Sequence, residues 1–129
     1  MNGRYLLDTN IVIAIFADEV VVHQQLAGAG EVFVPSIVLG ELYYGAQKSA
    51  RITSNVTRVA EYAANNTVLV CDTETARQYG EIKSELRAKG RPIPENDIWI
   101  AAIAKQHQLS LVTRDGHFNN VDELLIEIW

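Results

Sequence analysis

The sequence predicts an α/β fold with a mostly parallel central sheet of four to five strands and helices on both faces. Short apolar runs typical of buried strands recur along the chain, and segments with helical periodicity separate them. Parallel strands require such crossover connections, which are right-handed. No repeat, low-complexity tract or linker interrupts the 129 residues. We therefore expect one domain over residues 1–129.

The N-terminal part of the chain contains two predicted strands, at residues 5–7 and 31–34. Between them, residues 10–16 are almost entirely apolar and β-branched, a pattern that by itself leaves helix and strand open. Their position directly after an Asp-Thr-Asn turn favours a helix, with Thr9 or Asn10 as its N-cap.

The middle of the chain is predicted to contain two helices and a third strand. Pro35 ends the second strand, and Ser36 can cap the following helix, which carries Glu41 in its interior. Residues 49–65 have apolar side chains at spacings of three and four, which predicts a longer helix. The third strand is expected at residues 67–71.

The C-terminal part continues the alternation of helices and strands. Asp72 or Thr73 caps a predicted helix that Gly90 ends. Residues 97–106 are apolar nearly all round, so we expect a central, buried helix. The fourth and fifth strands are expected at residues 110–113 and 124–129.

Composition narrows the classes of function. The net charge is −5, from 11 basic and 16 acidic residues, which disfavours non-specific binding to nucleic-acid backbones without excluding an enzyme that acts on nucleic acid. The longest apolar run, residues 11–17, is far shorter than the ~20 residues that cross a bilayer. Cys71 is the single cysteine, so no internal disulfide forms. We expect a buried thiol and a cytoplasmic protein.

Four acidic residues stand in contexts that a surface charge does not need: Asp8, Glu41, Asp97 and Asp115. Two of them follow predicted strands, and the other two lie near the starts of predicted helices. In open α/β sheets, sites lie outside the carboxyl ends of the strands, near the point where strand order reverses. We therefore expect one edge of the sheet to collect all four carboxylates.

Clustered carboxylates repel one another, and a divalent cation such as Mg²⁺ or Mn²⁺ removes the conflict. Such an ion acidifies a water and stabilises charge on the attacking and leaving oxygens of a phosphodiester. Thr9, Asn10 and Thr113 could orient the carboxylates or waters. Arg114 could contact substrate phosphate or lie at the surface, and His117 is close enough to assist, although we expect an ordinary loop histidine.

Each acidic residue also has a purely structural alternative. Asp8 and Asp115 stand in Asp-Thr-Asn and Asp-Gly sequences that form turns, and Asp97 could favour a helix N-terminus through its charge. Glu41 is the hardest to explain this way, because its neighbours look buried and an unpaired buried carboxylate is costly.

Four segments in order resemble the PIN-domain nucleases, and within them the VapC-type toxins of toxin–antitoxin pairs. They are Tyr-Leu-Leu-Asp-Thr-Asn at 5–10, Val-Pro-Ser-Ile-Val-Leu-Gly-Glu-Leu-Tyr-Tyr-Gly at 34–45, Asn-Asp-Ile-Trp-Ile-Ala-Ala at 96–102 and Leu-Val-Thr-Arg-Asp-Gly-His-Phe at 111–118. The likeness covers essentially the whole chain. By this resemblance Asp8, Glu41 and Asp97 match the metal-binding acids, and Asp115 matches a more variable fourth position.

The resemblance implies an endoribonuclease dependent on Mg²⁺ or Mn²⁺ that acts on structured RNA, often transfer RNA. It also implies inhibition by a cognate antitoxin and a toxin homodimer. One alternative is a catalytically inactive PIN-like module that binds RNA or protein. Another is a phosphatase of the haloacid-dehalogenase type, which is disfavoured because such enzymes need an aspartate where Asn10 stands.

Overall fold

The computed structural model describes residues 3–129 and contains a five-stranded, all-parallel sheet flanked by six helices. The predicted fold class is confirmed. The strands are β1 (Arg4–Leu7), β2 (Glu31–Pro35), β3 (Thr67–Leu69), β4 (Ser110–Val112) and β5 (Ile126–Glu127). The helices are α1 (Thr9–Phe16), α2 (Val20–Gly28), α3 (Ser36–Gln47), α4 (Ile52–Ala64), α5 (Thr73–Ala88) and α6 (Glu95–Gln106), with a 3₁₀ helix at Gly116–Asn120.

The strand order is β3-β2-β1-β4-β5, with β1 at the centre. The chain builds outward from β1 to β2 and β3, and then returns to the other side of β1 to add β4 and β5. The order therefore reverses between β1 and β4, which pair in parallel with Leu7 beside Val112. A crevice outside the carboxyl ends of these two strands is where an α/β sheet places its ligand.

The core is densest around these two strands and α6. Leu6, Leu7, Leu111 and Val112 have no exposed surface, as expected for parallel strands covered on both faces. Residues 100–104 of α6 are fully buried as well, which confirms the predicted central helix. The crevice is thus built on well-packed elements that fix the backbone at its edge.

Two predicted helix caps are wrong, and one is confirmed. Asp8 caps α1 by accepting a hydrogen bond from the Thr9 backbone, so neither Thr9 nor Asn10 is the cap. Ser36 is the first residue of α3, preceded by Pro35, whose side chain makes no capping hydrogen bond. Asp72 caps α5 in a reciprocal capping box, as predicted.

The bounds of several elements also differ from the prediction. The helix expected at 49–65 begins only at Ile52, because the Ser49 hydroxyl donates to the carbonyl of Ala46 in the turn after α3. Helix α2 was not predicted. Strand β3 ends at Leu69, so Cys71 is exposed and the expectation of a buried thiol is wrong. Strand β5 is confined to two residues of the predicted 124–129.

Within residues 3–129, no single helix has the length and apolar character that a membrane crossing requires. Helices α1 and α2 meet such a test only when taken together, across a bend of 110°.

Candidate metal centre

Asp8 lies at the carboxyl end of β1 and is fixed by hydrogen bonds to β4, to α1 and to Thr113. Its backbone N–H donates to the carbonyl of Val112 on β4 at 3.0 Å. One carboxylate oxygen accepts from the Thr9 N–H at 2.8 Å, and the other accepts from the Thr113 hydroxyl at 2.7 Å. Asp8 is only 5% exposed. The end of the central strand and the start of α1 therefore hold this carboxylate in one orientation.

Thr113 and Asn10 join the segments that follow β1 and β4. The Thr113 hydroxyl donates to Asp8 and accepts from the Asp115 N–H at 3.0 Å. The side-chain amide of Asn10 lies 3.5 Å from both Asp8 Oδ2 and Thr113 Oγ1, and its carbonyl accepts from the Arg114 N–H at 3.2 Å. These contacts hold two loops of distant sequence in register.

Asp97 and Asp115 meet at His117, close enough to Asp8 for their charges to interact. Asp97 lies in the first turn of α6, and Asp115 caps the 3₁₀ helix. The imidazole Nδ1 of His117 lies 3.4 Å from Asp97 Oδ2 and 3.1 Å from Asp115 Oδ1. One ligand atom from each of these residues falls within 4.8 Å of the others. A single ion of ordinary size can be shared by atoms this close.

Glu41 reaches the same edge of the sheet from α3. Its Oε1 accepts from the Thr9 hydroxyl at 3.1 Å, and Thr9 is the residue next to Asp8. Glu41 lies in the second turn of α3, which follows β2 directly and packs against α1. Thr9 thus connects Glu41 to the other acidic residues.

The electrostatics of these carboxylates are unfavourable in the absence of a cation. Burial, followed by the charges of Asp8 and Asp115, raises the pKa of Asp97 to about 6. Burial also raises the pKa of Asp8 and of Glu41, although hydrogen bonds from Thr113 and Thr9 oppose the effect. Within residues 3–129, no lysine or arginine forms an ion pair with any of the four acids.

The donor set fits a divalent cation. Carboxylate oxygens are the ligands that hard cations prefer, and a dication would remove the repulsion that raises these pKa values. The four acidic residues predicted as a site are connected through the contacts given above, and their role as metal ligands stays a prediction.

The structure also bears on two residues that the sequence left uncertain. The Arg114 guanidinium pairs with Glu19 at 2.8 Å and donates to the carbonyl of Trp129, so it is engaged at the surface. His117, expected to be an ordinary loop histidine, instead contacts two acids. Its position two residues after Asp115 was the only signal in the sequence.

Comparison with known proteins identifies the family. Residues 5–124 match the PIN domain family. Ribonuclease VapC2 of Haemophilus influenzae is 37% identical over 129 residues, which cover 98% of each chain. The tRNA(fMet)-specific endonuclease VapC of Shigella flexneri is 32% identical, again over 98% of each chain.

A solved structure is similar in both fold and sequence. It is the crystal structure of VapBC2 from Rickettsia felis bound to a DNA fragment from their promoter. The TM-score is 0.89 at 31% identity, and the match covers 97% of this chain and 98% of the other.

Proposed function

Because this chain belongs to the PIN-domain family and matches VapC ribonucleases over nearly its whole length, we infer that it is an endoribonuclease. In this proposal it acts as the toxin of a toxin–antitoxin pair and hydrolyses phosphodiester bonds of RNA. Residues 1–129 act as one nuclease domain.

The observation that carries the proposal is the set of carboxylates at the point where the strand order reverses. Asp8, Asp97 and Asp115 affect one another's charge there, and none is paired with a lysine or arginine of the described chain. Burial raises the pKa of Asp8 and of Asp97, so their charged forms cost stability that a bound cation would restore, and the capping of α1 by Asp8 does not account for this cost.

We assign Asp8, Glu41, Asp97 and Asp115 as the residues that would hold Mg²⁺ or Mn²⁺ and carry catalysis. When bound, the ion would supply an acidified water and neutralise charge on the phosphodiester. The RNA backbone is anionic and would otherwise be repelled by this edge of the protein.

The neighbouring polar residues keep the carboxylates in place. The Thr9 N–H donates to one oxygen of Asp8 and the Thr113 hydroxyl donates to the other, which fixes the orientation of the carboxylate. The Thr9 hydroxyl orients Glu41, and Asn10 holds the loop that carries Asp115. Such second-layer contacts tune ligand geometry and metal affinity.

The substrate we propose is transfer RNA or another structured RNA. The Shigella flexneri relative is a tRNA(fMet)-specific endonuclease, and the likeness to it extends over nearly the whole chain. An RNA substrate and a single cysteine, Cys71, also support a cytoplasmic location.

We further propose that a VapB-like antitoxin neutralises this protein, within a hetero-oligomer that contains a toxin homodimer. Solved relatives are VapBC complexes. An apolar groove of about 290 Å³ between α1, α3 and α4 supports such a partner. It opens beside Thr9 and Glu41, and Ile13, Tyr44 and Ile52 are exposed on the same helices. An antitoxin segment seated there would adjoin the acidic residues.

The test is cleavage of a purified transfer RNA pool by wild type, Asp8→Asn and Asp97→Asn, with Mg²⁺ or Mn²⁺ supplied. Loss of a ligand should slow cleavage by about 1,000-fold, since a metal contributes several kcal/mol to transition-state stabilisation. Glu95→Gln is the matched control, because Glu95 lies two residues from Asp97 on α6 but pairs with Lys83. It should cleave at the wild-type rate.

Equal cleavage by all variants would remove these acids from the mechanism. Wild type that neither cleaves RNA nor binds Mn²⁺ at millimolar concentration in calorimetry would favour the alternative, an inactive PIN-like module that binds RNA or protein. Expression of the wild type should arrest growth, and coexpression of the antitoxin encoded beside it should relieve the arrest.

A further inference from the structure

The four acids Asp8, Glu41, Asp97 and Asp115 form what we call the acidic edge of the sheet. The imidazole of His117 lies on this acidic edge, although the sequence marks it as an ordinary loop residue. Its Nδ1 is the atom that faces Asp97 and Asp115, at 3.4 and 3.1 Å. About half of the side chain, 54%, is exposed. The ring therefore presents a nitrogen to the two carboxylates and its other edge to solvent.

The backbone sets this position. Asp115 caps the 3₁₀ helix by accepting the His117 N–H at 2.9 Å. The next residue, Phe118, is fully buried and anchors the same turn in the core. His117 is thus held between a cap and a core contact, and its side chain is directed back over Asp115. The local fold therefore fixes the backbone of His117 beside the two acids, and the contacts of Nδ1 with Asp97 and Asp115 orient the imidazole.

We propose that His117 is a nitrogen ligand at this centre, and that it makes the centre prefer Mn²⁺ to Mg²⁺. The inference rests on the proposed metal-dependent function and specifies the ion. Mg²⁺ strongly favours oxygen ligands and retains its waters, whereas imidazole nitrogen suits first-row transition metals. Two carboxylates and one imidazole, with ligand atoms within 4.8 Å of one another, form a mixed set that discriminates between the two ions.

The direct readout is pulsed electron paramagnetic resonance of Mn²⁺ bound to the full chain. Wild type should show modulation from a coordinated nitrogen, which changes when histidine is labelled with ¹⁵N. His117→Ala and His117→Asn should both lose it. Because the side chain is exposed and its backbone makes the capping bond, both variants should fold, which a melting curve without metal verifies.

Calorimetry with Mn²⁺ alone and with Mg²⁺ alone gives the second readout. In His117→Ala, the affinity for Mn²⁺ should fall roughly 10-fold or more. The affinity for Mg²⁺ should change by less than about 2-fold. His23→Ala is the matched control, since His23 also lies 3.4 Å from a carboxylate, but that of Asp18, which is not one of the four acids. It should bind both ions like wild type.

Mn²⁺ that binds wild type without nitrogen modulation would overturn this inference and leave the proposed function intact. An equal loss of affinity for both ions in His117→Ala would also overturn it, because the imidazole would then only position the acids. Wild type that binds neither ion would overturn both proposals. Because none of these measurements uses RNA, an RNA that is not cleaved does not affect them.

Discussion

Two regions of this protein are rich in carboxylates, and they shift the pKa of those carboxylates in opposite directions. The acidic edge contains the four acids of the candidate metal centre, and burial raises the pKa of Asp8, Glu41 and Asp97. The paired surface lies along α5 and the start of α6. There, hydrogen bonds from Arg77 and Lys83 lower the pKa of Glu74 and Glu95.

The difference shows that a net charge of −5 describes neither region. On the paired surface Glu74 and Glu81 pair with Arg77, and Glu95 pairs with Lys83, so these charges are satisfied locally and screened by water. At the acidic edge no lysine or arginine among residues 3–129 pairs with the four acids. Unfavourable charge that a fold retains is typical of a functional site, where stability is lost for activity.

The largest effect is expected when one charge is removed from the acidic edge. With EDTA present, Asp97→Asn should be more stable than wild type by about 3 kcal/mol at about pH 8. The pKa of Asp97 is raised from 3.8 to about 6 in the folded protein. Protonated Asp97 does not destabilise the fold, so the wild type has its full stability below the unfolded pKa of this carboxyl. That stability is lost as the pH rises through about 6 and Asp97 becomes charged in the folded protein.

Urea unfolding at several pH values measures this effect. The advantage of the Asp97→Asn variant should shrink towards zero near pH 4, where Asp97 is protonated in the folded state. In the same urea experiment Glu95→Gln should be less stable than wild type at high pH, because the pKa of Glu95 is lowered. If Asp97→Asn were less stable than wild type at about pH 8, the acidic edge would not be strained.

A smaller effect is expected from the hydroxyl that orients Asp8. Thr113→Val keeps the side-chain shape but removes the donor to Asp8 Oδ2 and the acceptor of the Asp115 N–H. We expect a loss of about 2 kcal/mol, because a buried hydrogen bond to a charged group is broken. Removing this bond raises the pKa of Asp8 further, so the loss should grow with increasing pH.

Thr113→Ser is the control, because it retains the hydroxyl and should keep most of the stability. Both variants are compared by urea unfolding with EDTA at about pH 5 and pH 8. A loss that is the same for serine and valine would mean that the methyl group, and not the hydrogen bond, holds this position.

The sequence predicted the sheet and the central helix because those features depend on hydrophobic pattern alone. Residues 97–106 read as a buried helix, and α6 is one. The caps were harder: Asp8 caps α1 because its side chain reaches the Thr9 N–H, and Asp, Thr and Asn compete on equal terms in that turn. The third strand was predicted too long, at residues 67–71, because an apolar run does not show where the paired strand ends. Strand β2 ends at Pro35, which pairs with Leu69.

The candidate site divides in the same way. That the four acids lie at one edge could be expected from the rule for strand ends. The contacts of Thr9 with Glu41 and of His117 with Asp97 could not, since they join residues far apart in sequence through side-chain geometry. His117 was expected to be an ordinary loop histidine, because its position two residues after Asp115 was its only signal in the sequence.

The smallest effect is expected on the paired surface, where Arg77 lies between Glu74 and Glu81 on the same face of α5. Arg77→Met keeps helix propensity and the aliphatic stem while removing the charge. The melting temperature should fall by less than about 2 °C at low salt, because exposed ion pairs contribute little. In about 1 M NaCl the difference in melting temperature between Arg77→Met and wild type should vanish, because salt at this concentration screens charges that are more than about 3 Å apart. A large loss that persisted in salt would mean that these pairs hold α5 in place. The two regions would then differ in how deeply their acids are buried, and not in whether those acids have basic partners.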